Sequence, residues 1–255
     1  MSSIRFQIAS DLHIEREYPR LCSWEEYLTK SSNILILNGD IGHIYLFEQL
    51  KYFIQGVCST WDNVYFIPGN HEFYNENGIS YKYLLFTLKN LEIIFTNFKV
   101  LYNEHVDFEG NIRLYGATLW SHIPEYCRER NIPIYTKSGR LIDASWLNKE
   151  YFKAVYDIDK EILDAKDKGK RLIISTHYAP TMNGTLKDYH KTDPTHHYYV
   201  SNLERLLKKD YVYVWIFGHT HVNCDYINDR DTRIVSNQFR GSGYYKNKVL
   251  RIKHI

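Results

Sequence analysis

The sequence predicts a layered α/β fold, and three observations carry that prediction. Short, near-continuous apolar runs of strand length recur along the chain. Segments of helical periodicity fall between them, and two further segments read as β-hairpins with polar turns. Near-continuous apolar runs suit strands buried on both faces of a sheet, while hairpins add antiparallel pairing to an otherwise parallel pattern.

In chain order, strands are predicted over residues 4–9, 33–37, 64–67, 172–175 and 211–217, each bounded by turn-forming residues. Helices are predicted over 44–58, 80–91 and 146–168. The last carries Phe152, Val155, Ile158 and Ile162 at helical spacing and closes at Gly169, a suitable C-cap. A short helix is predicted over 202–208. The hairpins cover 106–120, turning at Glu109-Gly110-Asn111, and 225–236, turning at 228–231. Residues 249–255 alternate and add a final strand. No repeat or low-complexity linker divides the chain, so residues 1–255 read as a single domain. Residues 121–145 and 181–199 are expected to be loops over a site.

Composition narrows the function classes. With 44% hydrophobic and 24% charged residues the chain reads as a soluble globular protein. The 23 tyrosines supply core and pocket-wall rings with polar tips. A net charge of +2 lacks the basic excess of a dedicated nucleic-acid binder. Two small basic clusters, Lys166/Lys168/Lys170/Arg171 and Lys246/Lys248/Arg251/Lys253, are expected to be solvated faces. Cys22, Cys58, Cys127 and Cys224 lack pair spacing, which favours a reducing compartment. No apolar run approaches the roughly 18 residues of a membrane span. With no signal peptide either, a cytoplasmic location is expected.

The chemistry lies in the residues directly after each buried strand. The first strand runs into Asp11-Leu12-His13, the second into Gly39-Asp40, and the third into Gly69-Asn70-His71-Glu72. The 172–175 strand runs into His177, and the 211–217 strand into Gly218-His219-Thr220-His221. The carboxyl ends of strands line the ligand crevice of open α/β sheets, so these groups can converge. His, Asp and Asn offer N and O donors for borderline or hard divalent ions. The i, i+2 pairs Asp11/His13 and His219/His221 place two donors on one side of an extended chain. Gly39, Gly69 and Gly218 directly precede donors and permit close backbone approach. Two divalent ions bring four positive charges, of which Asp11 and Asp40 cancel two. The remainder suits a bridging hydroxide and an anionic phosphate ester.

Taken together, Asp11-x-His13, Gly39-Asp40, Gly69-Asn70-His71-Glu72, His177 and Gly218-His219-x-His221 resemble the calcineurin-like metallophosphoesterases. All five blocks occur in the family's order. The stretches Ala9–His13, Gly116–Trp120 and Thr232-Arg233 leading to Arg240-Gly241 resemble a small single-domain branch seen in bacteria and some viruses. The resemblance implies a four-layer αββα sandwich of two mixed β-sheets flanked by helices. It implies that Asp11, His13 and His221 hold one metal ion, that Asn70, His177 and His219 hold the other, and that Asp40 bridges both. It also implies that His71 assists catalysis at the substrate. Mn, Fe, Zn, Mg and Ni are all compatible with such N/O sites, and by this resemblance a metal-bridging hydroxide would attack a phosphomonoester or phosphodiester in line.

Two departures bear on substrate and mechanism. Protein phosphatases of this family carry Gly-Asp-x-Val-Asp-Arg-Gly, whereas this chain reads Gly39-Asp40-Ile41-Gly42-His43. The phosphate-binding arginine of that motif is absent, and His43 stands where an acid would orient the catalytic histidine. Both argue against protein phosphatase activity. Glu72 reads as structural. Arg240 and Asn237, after the second hairpin, are candidate substrate-binding residues, because an arginine there could grip phosphate bidentately. Tyr178 reads equally as pocket border or ordinary packing. His190, His196 and His197 read as a solvated loop, with lining of the substrate pocket as the alternative, and His43, His105, His122 and His254 as surface residues, with His43 alternatively near Asp40. A small phosphate ester is the expected partner. Nucleic acid is an alternative substrate, suggested by the basic clusters and loop aromatics. A non-catalytic scaffold is a third reading, opposed by the complete set of ligand positions.

Overall fold

The protein is described from a computed structural model covering residues 3–128, 130–188 and 192–253. The predicted positions His190 and His254 lie outside the described residues. The order of elements is β1 (Ser3–Ala9), β2 (Ile34–Leu37), α1 (Phe47–Cys58), β3 (Asn63–Phe66), α2 (Tyr81–Lys89), α3 (Leu91–Ile94) and β4 (Phe98–Val100). Then come β5 (Glu104–Phe108), β6 (Ile112–Ala117), β7 (Ile132–Tyr135), β8 (Leu141–Ile142), α4 (Ala144–Asp167) and β9 (Arg171–Thr176). The chain closes with β10 (Val214–Phe217), β11 (Asp225–Ile227), β12 (Arg233–Ser236) and β13 (Val249–Lys253).

Two mixed sheets form the centre. The first has the order β13-β1-β2-β3-β4, parallel except for the edge strand β13. The second has the order β11-β12-β10-β9-β6-β5, parallel in its four middle strands with antiparallel edges β11 and β5. Side chains alternate across each strand and so divide the core in two. Phe6, Ile8 and Ile36 of the first sheet meet Leu114, Ile173, Ile216 and Val235 of the second in one cluster between the sheets. Leu35 and Leu37 face outward onto Phe53, Ile54 and Val57 of α1. On the other side, Leu172 and Ile174 join Ile158 and Ile162 of α4. Helix, sheet, sheet and helix thus stack as the resemblance implies.

Helix α4 begins at Asp143, whose carboxylate accepts the Trp146 N–H at 2.8 Å. Its packed stripe is Leu147, Tyr151, Ala154, Ile158, Ile162 and Ala165, at spacings of three and four. Phe152, expected in that stripe, faces solvent instead.

Other differences from the sequence reading are local. Residues 121–145 are not a plain loop: β7 and β8 pair there as a small bulged hairpin. Pro133 masked it, because proline inside an apolar run argues against a strand. Residues 202–208 hold only a 3-10 turn, Glu204–Leu206, too short to offset the cost of helix nucleation. The helix expected over 80–91 breaks at Asn90 into α2 and α3, and the strand expected from Tyr211 starts only at Val214. The three-residue β4 gave no periodic signal. No helix among the described residues is long and apolar enough to cross a membrane.

Candidate active site

The carboxyl ends of β1, β2, β3, β9 and β10 meet at one edge of the sandwich. The two sheets are tied there by Asn38. Its side chain donates to the Thr176 carbonyl at 2.9 Å and accepts from Ser175 at 2.7 Å. All seven predicted donor residues come together at this edge in two groups. The side-chain donor atoms of Asp11, His13 and His221 lie within 4.8 Å of one another, and so do those of Asp40, His177 and His219. Asn70 joins the second group, its Oδ1 standing 3.2 Å from His177 Nε2.

Hydrogen bonds behind the histidines decide which ring nitrogen faces inward. A carbonyl can only accept, so a ring nitrogen against it must carry the proton. His177 donates from Nδ1 to the Asn38 carbonyl at 3.0 Å, and His219 donates from Nε2 to the Tyr198 carbonyl at 3.0 Å. His13 donates from Nδ1 to Glu15 at 2.8 Å. In the neutral rings the inward nitrogens then carry the lone pairs, which for His177 requires loss of a second proton. His13 Nε2 is buried with no hydrogen-bond partner. It stands 3.8 Å from Asp40 Oδ2, and His177 Nε2 stands 3.2 Å from the same oxygen. Lone pairs aimed at one another across such gaps suit a cation between them, and the N/O donor set suits divalent metals.

The electrostatics of the donor groups themselves reflect this crowding. Burial alone would keep His177 neutral, but the Asp40 and Asp11 carboxylates outweigh it and push its pKa up to about 9. Burial and the neighbouring His177 charge drive His219 down to about 3. Asp40 stays well below the usual carboxylate range despite its burial, because His177, His71 and His13 surround it.

The backbone is also strained here. Asp11, His13, Asp40, His219 and His221 all adopt left-handed φ angles of 57°, 53°, 53°, 70° and 54°. Such conformations cost roughly 1–2 kcal/mol per non-glycine residue, so five among seven donor residues mark a functional site. Gly39 at φ 84° makes the turn possible, since a Cβ there would run into the His177 ring and the Gly69 backbone. Glu72 braces these loops as a structural residue. Its buried carboxylate accepts the N–H groups of Gly69, Asp40, Ile41 and Gly42 at 2.7, 2.9, 2.7 and 3.3 Å.

His71 borders the two groups, and its N–H donates to Asp40 Oδ1 at 2.9 Å. The acid missing from the sequence motif is supplied from elsewhere. Glu15 Oε1 lies 3.4 Å from His71 Nδ1 and 3.8 Å from His43 Nε2, besides its bond to His13. Burial opposes ionisation of Glu15, but its bond to His13 and the close approach of His71 outweigh it and hold the carboxyl down to about 2. Burial likewise opposes charge on His71, yet Asp40 and Glu15 raise its pKa above the ordinary value. Of the two readings for His43, the structure gives the place beside Asp40 and not the surface one. His43 stacks at 5.8 Å on His71, and burial drives its pKa down to about 4. Sequence reasoning missed Glu15, although Glu15 continues the i, i+2 spacing of Asp11 and His13.

A cavity of about 230 Å³ opens over the donors. Its outer wall is Arg16, Tyr74, Arg130, Ile132, Tyr178, Tyr198 and Tyr199. The 121–145 and 181–199 segments therefore do reach the site, through Arg130 and Ile132 and through the two tyrosines. Tyr74 stacks on His71 at 4.3 Å and Tyr178 on His219 at 4.1 Å, which fixes both imidazoles. The candidates Asn237 and Arg240 are not brought to this cavity. Asn237 is buried and spends its amide on the Ile8 and Tyr245 carbonyls at 2.8 and 2.9 Å. Arg240 is exposed beside Phe239. Among the described residues, the arginines at the cavity are Arg16 and Arg130, which no sequence motif marked. His196 and His197 pack on each other at 4.0 Å and do not line the cavity.

A two-sheet sandwich that gathers Asp, His and Asn donors around facing lone pairs defines a metal-dependent hydrolase. The chain belongs to the calcineurin-like phosphoesterases, whose family model matches residues 4–223, and is a metal-dependent phosphoester hydrolase. An uncharacterised protein of Acanthamoeba polyphaga mimivirus is 30% identical over 209 residues, covering 76% of this chain and 73% of that one. Among solved structures, the chain is similar in fold to phosphopantetheinyl hydrolase from Mycobacterium tuberculosis. The TM-score is 0.63 at 14% identity, over 95% of this chain and 90% of that one. A dimetal phosphatase from Danio rerio matches with a TM-score of 0.59 at 14% identity, over 99% of both chains.

Proposed function

We propose that the protein hydrolyses a small phosphate ester at a dinuclear metal centre. One observation carries this reading. Asp40 Oδ2 lies between His13 Nε2 of one donor group and His177 Nε2 of the other. A single carboxylate placed so can serve both sides. Asp11, His13 and His221 would hold one ion, Asn70, His177 and His219 the second, and Asp40 both. When bound, such a pair activates water and polarises the phosphoryl group.

The chain's own residues do the remainder. His71 presents its second ring nitrogen to the cavity and protonates the departing oxygen, while Glu15 orients the ring through Nδ1. Tyr74, Tyr178, Tyr198 and Tyr199 wall the cavity and limit water. The cavity's size favours a small ester over a polymer. Against a nuclease, three of the eight residues in the basic clusters are paired with carboxylates and none of the eight lines the cavity. Lys168 pairs with Asp164, Lys170 with Asp107 and Lys248 with Asp225.

Asp40→Asn tests the reading. The variant should lose at least about a thousandfold in phosphate-ester turnover and its metal content should fall, with circular dichroism unchanged. Wild-type turnover by a folded Asp40→Asn variant would refute it.

A further inference from the structure

We propose that Arg16 and Arg130 form a clamp for a doubly charged phosphate, making the substrate a phosphomonoester rather than a phosphodiester. The proposal rests on the phosphoesterase reading above and specifies its substrate class.

The two arginines approach from unrelated parts of the chain. Arg16 sits in the 3-10 turn Ile14–Glu17, three residues after the donor His13. Arg130 comes from the segment before β7. Both line the cavity together with Asp40, Asn70, His71, His219 and His221. Arg16 is exposed, and among the described residues its guanidinium makes no hydrogen bond or ion pair. Arg130 is held in place without being neutralised. Its Nη1 donates to the Tyr199 hydroxyl at 2.9 Å, and its guanidinium lies 5.1 and 5.3 Å from the Tyr198 and Tyr199 ring centres. Among the described residues no carboxylate pairs with it. By contrast Arg20, Arg113, Arg205 and Arg233 are each paired with Asp or Glu.

Cations left without a counter-charge at a cavity mouth select an anionic ligand. The planar guanidinium fork matches phosphate oxygens bidentately. The motif position where protein phosphatases of the family carry such an arginine lacks one here, so this pair takes over its task from other elements. Charge then separates the ester classes. With two divalent ions, the carboxylates of Asp11, Asp40, Glu15 and Glu72 bring the centre close to neutral, and the arginines add two positive charges. A diester has one negative charge to offer, a monoester dianion two. The diester's second arm would also compete for space that Tyr74, Tyr178 and Tyr199 occupy.

Arg130 also ties two loops, since its N–H donates to the Tyr198 hydroxyl at 3.1 Å. Arg16 has no such duty, so Arg16→Met is the cleaner test, with Arg16→Lys and Arg130→Lys beside it. The full-length, metal-loaded enzyme is assayed on p-nitrophenyl phosphate and bis(p-nitrophenyl) phosphate, and inorganic phosphate binding is measured by calorimetry. Wild type should favour the monoester in kcat/KM. Arg16→Met should raise the monoester KM and the phosphate Kd about tenfold or more, and the diester KM less than about threefold. Arg16→Lys should recover part of the loss, and Arg130→Lys should weaken phosphate in the same sense, because an ammonium lacks the fork. Wild-type preference for the diester, equal KM shifts on both esters, or unchanged phosphate binding in Arg16→Met would overturn the clamp. Wild type inactive on both esters with every divalent ion would instead overturn the phosphoesterase reading itself.

Discussion

At the scale of single residues, Glu15 carries the most unexpected chemistry. One carboxylate contacts a proposed metal-ligand histidine, the proposed leaving-group acid and the histidine that stands where the family's protein phosphatases carry an acid. Glu15→Gln keeps the shape and removes the charge. Loss of such a supporting partner typically costs about 10–100-fold in activity. If Glu15 serves His71, the loss in kcat should be larger for phenyl phosphate than for p-nitrophenyl phosphate, because a poorer leaving group depends more on protonation. An equal loss on both would confine Glu15 to holding His13. The donors themselves are legible in the sequence because each sits directly after a buried strand. Glu15, Arg16 and Arg130 are not, because what they touch depends on how separate loops fold over one another. Arg240 and Asn237 fall outside the site for the same reason: a position after a hairpin says nothing about which way the hairpin faces.

At the scale of elements, the strands serve as rails that end in strained turns, and the helices hold the rails in place. The strands, the long helix and both predicted hairpins can be read from periodicity, since burial on one or two faces leaves a repeating pattern. The β7–β8 hairpin cannot, because Pro133 interrupts it and its pairing is bulged. Helix α4 is fixed to the second sheet by Arg113 of β6. Its side chain is 1% exposed and donates to Asp107 of β5 and to Glu161 and Asp164 of α4. Arg113→Ala should cost about 3 kcal/mol in urea unfolding at pH 7 without changing bound metal. Arg113 holds the Asp107 carboxyl below its ordinary value. A depressed carboxylate pKa stabilises the fold above the unfolded value and stops doing so as pH falls through the folded one. The stability gap between wild type and variant should therefore be full above about pH 5 and shrink on acidification below the ordinary carboxylate range. A gap that ignores pH would assign the loss to packing alone.

At the scale of the whole molecule, folding brings seven donors from five strand ends to one edge, in positions that suit cations. Without metal, the crowded carboxylates hold a proton on His177, whose pKa is raised to about 9. A raised histidine pKa favours the metal-free fold below the unfolded value, and that contribution fades as pH climbs through about 9. Metal must displace this proton. Loading stripped protein at pH 7.5 should release about one proton per chain to a dye indicator, and progressively less above pH 9. Loading without proton release would contradict a protonated His177 in the metal-free site. The central claim, that two ions on these residues make a phosphate-ester hydrolase, is tested most directly by counting. Chelator-stripped protein is titrated with manganese while bound metal and p-nitrophenyl phosphate hydrolysis are tracked together. Activity should be absent at the start and reach its plateau at two ions per chain. A plateau at one ion, or hydrolysis that survives stripping, would contradict the account.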